Sequence, residues 1–215
     1  MFRDRIDAGT RLAHALAHWR GQRPLVLAIP RGTVPMGRIV ADALGGELDV
    51  VLVRKLSVPG SPEYAIGAVD ETGWSHLSDD AAFAGASPEY LKHAVAVEVE
   101  TMRRRRAQYT PVRSPLDPAS RIAIVVDDGL ATGETMLAAL HAVRARSPKR
   151  LICAVPVASA GALEKVKPFA DEVVCLLIPD FFRAVEQFYL DFRQVEDEEV
   201  IAQLRAAATP AAPSP

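Results

Sequence analysis

The sequence predicts an α/β fold: an open, mostly parallel sheet with helices on both faces. Three observations carry this. Strand-length apolar runs alternate with segments of helical period along the chain. The first two runs, LVLAI (25–29) and DVVLV (49–53), bracket a single helix. That arrangement makes a βαβ unit with parallel strands and a right-handed crossover. Three further runs, RIAIVVDD (121–128), LICAVPV (151–157) and EVVCLLI (172–178), are spaced in the same manner.

The elements follow in order. Asp7 is the expected N-cap of a helix over about 7–20, where Leu12, Leu16 and Trp19 share a face. PRGTVPMG is a turn, and residues 35–44 form a helix that ends at Gly45-Gly46. Residues 54–65 (RKLSVPGSPEYA) mix Pro, Gly, Ser and charge and read as a long loop. AIGAVD and WSHLS flank Glu71-Thr72-Gly73 as a hairpin. Ser87-Pro88-Glu89 opens a helix to about Tyr109, with Pro at the first helical position. PVRSPLDPAS is a linker. Helices are expected near 134–145, with Met136, Leu137, Leu140 and Val143 on the apolar face, and near 160–168. PDFFRAVEQFYLDF (179–192) is aromatic-rich, and a charged helix follows at 196–207. Residues 1–207 are expected to form one domain, with 208–215 (ATPAAPSP) a disordered tail.

Composition narrows the function classes. The 215 residues carry 25 Lys and Arg against 27 Asp and Glu, a net charge of −2. That balance argues against a nucleic-acid-binding surface at the level of the whole chain. The one basic run, Arg103–Arg106, lies on a predicted helix and spreads around its circumference, which reads as a solvated face or as phosphate-facing support from a neighbouring subunit. No apolar run approaches the roughly 20 residues of a membrane span. The opening MFRDRIDAGT has no apolar signal core, so a cytoplasmic protein is expected, with no membrane partner. Cys153 and Cys175 sit in apolar runs as core residues, and His14, His18, His76, His93 and His141 show no metal-ligand spacing.

The chemistry is carried by IAIVVDDGLATGET (122–135). A buried strand ends in two adjacent carboxylates, Asp127 and Asp128. A loop of small residues follows, Ala131-Thr132-Gly133-Glu134-Thr135, and a helix begins there. Strand carboxyl ends are where open α/β sheets bind ligands. Small residues let backbone N–H groups approach a phosphate, and the helix N-terminus adds its positive dipole end. Thr132 and Thr135 can add hydroxyl donors. Paired acids just before a phosphate cradle suit a sugar phosphate: the acids hold ribose hydroxyls and the loop holds the 5′-phosphate.

This segment resembles the phosphoribosyl-pyrophosphate (PRPP) signature of type I phosphoribosyltransferases, nearly position by position over 123–135. Gly129 stands where that family more often has an aliphatic residue, which would loosen the loop. AIPRGTVPMGRIVADAL is similar to the family's pyrophosphate loop, which often contains a cis peptide that aims backbone N–H groups at pyrophosphate. Arg31 and Gly32 fall on those positions, and Thr33 replaces a common Gly, which would tighten the turn. VRKLSVPGSPEYAIGAV occupies the place of the family's mobile loop. There the resemblance implies Arg54 and Lys55 at the base facing pyrophosphate, a hinge at Pro59-Gly60, and Glu63 as a proton-transfer residue, with Tyr64 beside it. Purine-using members build a hood after the last strand, and Phe181, Phe182, Phe188, Tyr189 and Asp191 are placed to stack on and read an acceptor. Members acting on 6-oxopurines carry Asp where this chain has Ala131.

The resemblance therefore implies the type I phosphoribosyltransferase fold with a small hood. It implies transfer of the phosphoribosyl group from PRPP to a nitrogen of a nucleobase-like acceptor, with Mg²⁺ held through PRPP and water near Asp127 and Asp128 rather than by direct ligands. Family members commonly form homodimers. A sensor that binds PRPP or a nucleotide without turnover, and a phosphate-ester hydrolase on the same fold, are the other two readings.

Overall fold

The computed structural model describes residues 1–208 except 59, 79, 80 and 82, and the backbone alone at 62 and 63. Pro59, the side chain of Glu63 and residues 209–215 of the expected tail lie outside the described residues, while Ala208, its first residue, ends a helix. In chain order the elements begin with α1 (Arg5–Ala15), β1 (Leu25–Ala28), α2 (Val34–Leu44) and β2 (Glu47–Val50). Next come β3 (Val53–Val58), β4 (Ser61–Asp70), β5 (Ser75–Leu77) and α3 (Pro88–Tyr109). Then follow β6 (Ile122–Val126), α4 (Glu134–Arg144), β7 (Arg150–Val157), α5 (Ala160–Val166), β8 (Glu172–Leu177) and α6 (Asp197–Ala208).

The main sheet has five strands in the order β2-β1-β6-β7-β8, every neighbouring pair parallel. Alternate residues feed two cores, as strand period dictates. Val26, Ala28, Ile124, Val126 and Ile152 pack with Leu12 of α1, Met36 and Val40 of α2, and Leu204 of α6. Leu25, Leu27, Ala123, Val125 and Cys153 pack with Leu137 and Leu140 of α4 and Leu163 of α5. Burial on both faces explains why these strands read as unbroken apolar runs. Helices diverge to opposite faces from the neighbouring strands β1 and β6, which makes their carboxyl ends the switch point of the sheet. No helix among the described residues is long and apolar enough to cross a membrane.

Three expectations need correction. The first helix is capped by Asp4, whose carboxylate accepts from Asp7 N at 2.7 Å, and it gives way to a 3-10 turn at Ala17–Trp19. Asp7 instead accepts from Arg3 N and Arg11. The run 49–53 is not one strand: β2 stops at Val50, and Val53 already belongs to a second sheet. The expected long loop at 54–65 is largely the antiparallel pair β3–β4, which β5 extends to three strands. Register shifts at Leu56/Ser57 and Ser57/Val58 break the alternation there, so the pattern carries no strand period.

The arginine run divides. Arg103 and Arg104 pair with Glu100, Arg105 approaches Asp197 at 3.5 Å, and Arg106 binds Glu71 and the Val50 carbonyl. The last two are structural ties between α3 and its neighbours.

Candidate active site

The carboxyl ends of β1 and β6 open into a cavity of about 770 Å³. Asp127 and Asp128 extend from β6 into it. Each carboxylate has one oxygen taken by the protein. Asp127 Oδ1 accepts from Thr33 Oγ1 at 3.1 Å and from Asp128 N at 2.9 Å. Asp128 Oδ2 accepts from Arg5 Nε at 3.1 Å and Arg5 Nη2 at 2.9 Å. Asp127 Oδ2 and Asp128 Oδ1 make no hydrogen bond among the described residues. Two acceptor oxygens, one per carboxylate, are left for a ligand.

Burial and the neighbouring Asp128 charge push the Asp127 carboxyl well above the usual carboxylate range. Asp128 is also raised by burial, against the pull of Arg5. The pair therefore holds a proton more readily than two separate carboxylates would. The Lys55 ammonium, on β3 across the cavity, opposes both shifts.

The loop after the acids is built as a donor cradle. Leu130 N donates to the Val157 carbonyl, and Ser159 Oγ donates to Ala131 O at 2.8 Å, which fixes the loop against α5. Gly133 caps α4 at φ 86°, a left-handed conformation that a side chain strains. The N–H groups of the first turn of α4 have no partner within the helix. Thr132 and Thr135 line the same cavity. At the facing turn the Pro30–Arg31 peptide is cis, and Gly32 and Thr33 lead into α2.

Glu134 lines the cavity with the rest of the loop, while its carboxylate is committed elsewhere. Its side chain is only 3% exposed, with Oε1 3.1 Å from Lys165 Nζ and Oε2 3.3 Å from His76 Nε2. A carboxylate facing a phosphate would repel it, so only the backbone of Glu134 suits that role. Lys165, which the sequence did not single out, lines the cavity beside the loop.

Residues 4–193 match the family model described as "Phosphoribosyl transferase domain". The chain belongs to this family. Rv0571c and MT0597 of Mycobacterium tuberculosis (strains H37Rv and CDC 1551), both provisionally named phosphoribosyl transferases, are each 40% identical to it over 211 residues. Those matches cover 96% of this chain and 47% of each relative, so the chain spans about half the length of the curated relatives it matches. The crystal structure of TT1426 from Thermus thermophilus superposes with a TM-score of 0.81 at 47% identity, covering 97% of this chain and 99% of that one.

Against the phosphoribosyl transferase pattern, the remaining expected residues divide. Arg31 lines the cavity, but its guanidinium pairs with Glu196 at 3.2 Å and Asp197 at 3.5 Å. Arg54 is not on the cavity: alternate strand residues face opposite ways, and its Nε donates to Glu98 of α3 at 2.7 Å. Arg54→Ala should therefore change the affinity of the cavity for a phosphate ligand by less than about twofold, because neither Arg54 nor Glu98 lines it and an ion pair of this exposure carries about 1 kcal/mol or less of stability. Calorimetric titration checks it.

The hood region lies over the cavity, but through other residues than expected. Tyr189 is buried, with its hydroxyl donating to the Asp128 carbonyl at 2.7 Å and its ring against Phe2 and Phe192. Phe182 packs on Phe188, Phe181 is 87% exposed and does not line the cavity, and Asp191 accepts from Arg193 N. The hood residues on the cavity are Arg183, Ala184, Val185, Glu186 and Phe192. Gly129 is packed, not loosened: a Cβ there would lie 2.7 Å from Val185 Cγ1, so the hood fills the space an aliphatic residue would take.

Three cavity-lining residues have no clear mark in the sequence. Thr33 reads there only as a replaced glycine, and Lys165 sits without a signal in a short helix. Arg5 stands 123 residues from Asp128, and nothing in MFRDRIDAGT marks it.

Proposed function

We propose that this chain moves the 5-phosphoribosyl group from PRPP to a ring nitrogen of a nucleobase-like acceptor, releasing pyrophosphate. The observation that carries this is the pair of free carboxylate oxygens beside the donor cradle of residues 131–135. In this reading Asp127 Oδ2 and Asp128 Oδ1 accept from the two ribose hydroxyls. The backbone of 131–135 with Thr132 and Thr135 holds the 5′-phosphate. Gly32 and the backbone of Arg31 receive the pyrophosphate. Lys55 supplies the cation for it, since Arg31 is engaged by Glu196 and Asp197 while Lys55 has no ion pair among the described residues.

The family implies Mg²⁺. Among the described residues no group of three or more His, Cys, Asp or Glu could hold a metal. Two adjacent carboxylates that resist joint ionisation do fit a hard cation that arrives with its phosphate ligands and keeps waters. Asp127 and Asp128 would hold it through water, and bound there it would neutralise charge on the departing pyrophosphate. The chain's own residues do the rest. The bond from C1 to the pyrophosphate oxygen breaks with both electrons leaving on oxygen, and C1 gains oxocarbenium character. The acceptor nitrogen's lone pair closes on C1 from the opposite face, and the proton that nitrogen carried passes to the departing pyrophosphate or to solvent. Fixed donors around the leaving group and a positioned ribose supply most of the acceleration.

The test is a screen of purines, pyrimidines and other ring-nitrogen bases, read by pyrophosphate release from PRPP. Acceptor-dependent release supports transfer. PRPP binding without release for any acceptor favours the sensor, and phosphate release without an acceptor favours hydrolysis. Lys165 lines the cavity with its side chain half exposed, so beyond its pair with Glu134 it should still present donors beside the 5′-phosphate. Lys165→Gln is expected to weaken ribose 5-phosphate binding by about tenfold, the scale of one charge-assisted hydrogen bond. Unchanged affinity by calorimetry would remove Lys165 from the site.

A further inference from the structure

We propose that Arg5 is a positioning residue: it fixes Asp128 toward the ribose and ties that carboxylate to the hood. The inference rests on the phosphoribosyl reading above and assigns a role to a residue outside both loops. The N-terminal segment is bonded alongside the hood, with Phe2 N donating to Phe188 O at 2.7 Å, Leu190 N to Phe2 O at 2.9 Å and Asp191 N to Arg3 O at 2.9 Å. From that anchor the Arg5 side chain, 11% exposed, reaches into the cavity.

Each nitrogen of its guanidinium is engaged. Nη1 donates to the Arg193 carbonyl at 2.7 Å, while Nε and Nη2 both donate to Asp128 Oδ2. The guanidinium carbon lies 3.8 Å from the centre of the Phe192 ring. A Cβ on residue 32 would meet Arg5 Nη2 at 2.8 Å, so the glycine of the pyrophosphate turn is the seat on which this cation rests.

Geometry makes this more than a buried ion pair. A planar fork held against a ring and a carbonyl has no freedom to turn. Both of its bonds to Asp128 fall on one oxygen, which sets the other, Oδ1, as the acceptor left to a ligand. The same cation touches Asp128, the pyrophosphate turn and the hood, so the ribose end and the acceptor end of the site share one rigid contact. Lysine would keep the charge and lose the plane.

The experiment compares ligands that differ by one hydroxyl. Ribose 5-phosphate, 2-deoxyribose 5-phosphate, 3-deoxyribose 5-phosphate and inorganic phosphate are titrated into wild type, Arg5→Gln and Arg5→Lys. Wild type should prefer ribose 5-phosphate to both deoxy sugars. In Arg5→Gln at least one of these preferences should shrink by about tenfold, the scale of one oriented charge-assisted bond, with inorganic phosphate affinity unmoved. Arg5→Lys should fall between and carries the comparison if Arg5→Gln fails to fold. Millimolar guanidinium should partly restore the preference in Arg5→Ala.

Preferences that stay at the wild-type ratio in folded variants, or an equal loss for all four ligands, would overturn the inference. Wild type that binds none of the sugar phosphates would overturn the phosphoribosyl reading and the inference with it. Wild-type binding with unmoved ratios overturns the inference alone.

Discussion

Asp127→Asn is expected to weaken PRPP binding by about 10- to 100-fold, the loss of one or more charge-assisted hydrogen bonds, and to make the protein more stable. The two effects have one cause. Asp127 is held beside a second carboxylate in a buried place, and its own partners are a hydroxyl and a backbone N–H. Removing its charge should add about 1 kcal/mol, or roughly 2–4 °C in Tm for a chain of this size. The sign with pH follows. The Asp127 pKa is raised in the folded state, so between the unfolded and folded values the folded protein binds the extra proton. Wild-type stability then falls as pH rises through that window. The gain from Asp127→Asn should be absent below about pH 4, where an unfolded aspartate is protonated, and complete above the raised value. Asp128→Asn should behave in the opposite sense. It also loses PRPP, but it removes the one counter-charge that the Arg5 guanidinium has among the described residues, for a loss of about 1–3 kcal/mol. Thermal melts of both variants at pH 5 and pH 8 check the pair of signs, and equal shifts for the two would refute the asymmetry.

Gly129→Val is expected to destabilise the protein by about 1–3 kcal/mol, the usual result of overpacking, although it restores the type of residue common in the family. The added Cβ meets Val185 Cγ1 at 2.7 Å and Val157 Cγ1 at 2.9 Å. The hood must move off the sheet end to admit it, and with the hood move Arg183 and Glu186 at the cavity. Val185→Ala in the same chain should recover a large part of the loss, because it vacates the nearer contact. Denaturant unfolding of the two singles and the double measures the coupling. Simple additivity would mean that Val185 does not hold the space over Gly129.

What the sequence disclosed and what it hid separate along physical lines. The parallel sheet was legible because strands buried on both faces must be apolar throughout, and RIAIVVDD and LICAVPV have few other readings. The cradle at 131–135 was legible because small residues between paired acids and a helix start are rare without a ligand. The pair β3–β4 was hidden because Val53 and Leu56 face different cores and two register shifts follow Leu56, so no two-residue apolar period marks the strand. Arg54 and Lys55, adjacent in sequence, both suit pyrophosphate by the family resemblance alone. The strand sends one to Glu98 and the other to the cavity. The aromatics of 181–189 showed that something is packed there, not which rings face inward, and Tyr189 and Phe182 went to the interior. Arg5 had no local signal, since its meaning arises only when the N-terminus lies along the hood.

The central claim is tested most directly by calorimetric titration of the wild-type protein with PRPP in the presence of Mg²⁺, repeated on Asp127→Asn. The account predicts saturable one-site binding that the substitution weakens by about 10- to 100-fold while the melting temperature holds or rises. Absence of binding to the wild type, or binding that Asp127→Asn leaves intact, would contradict it.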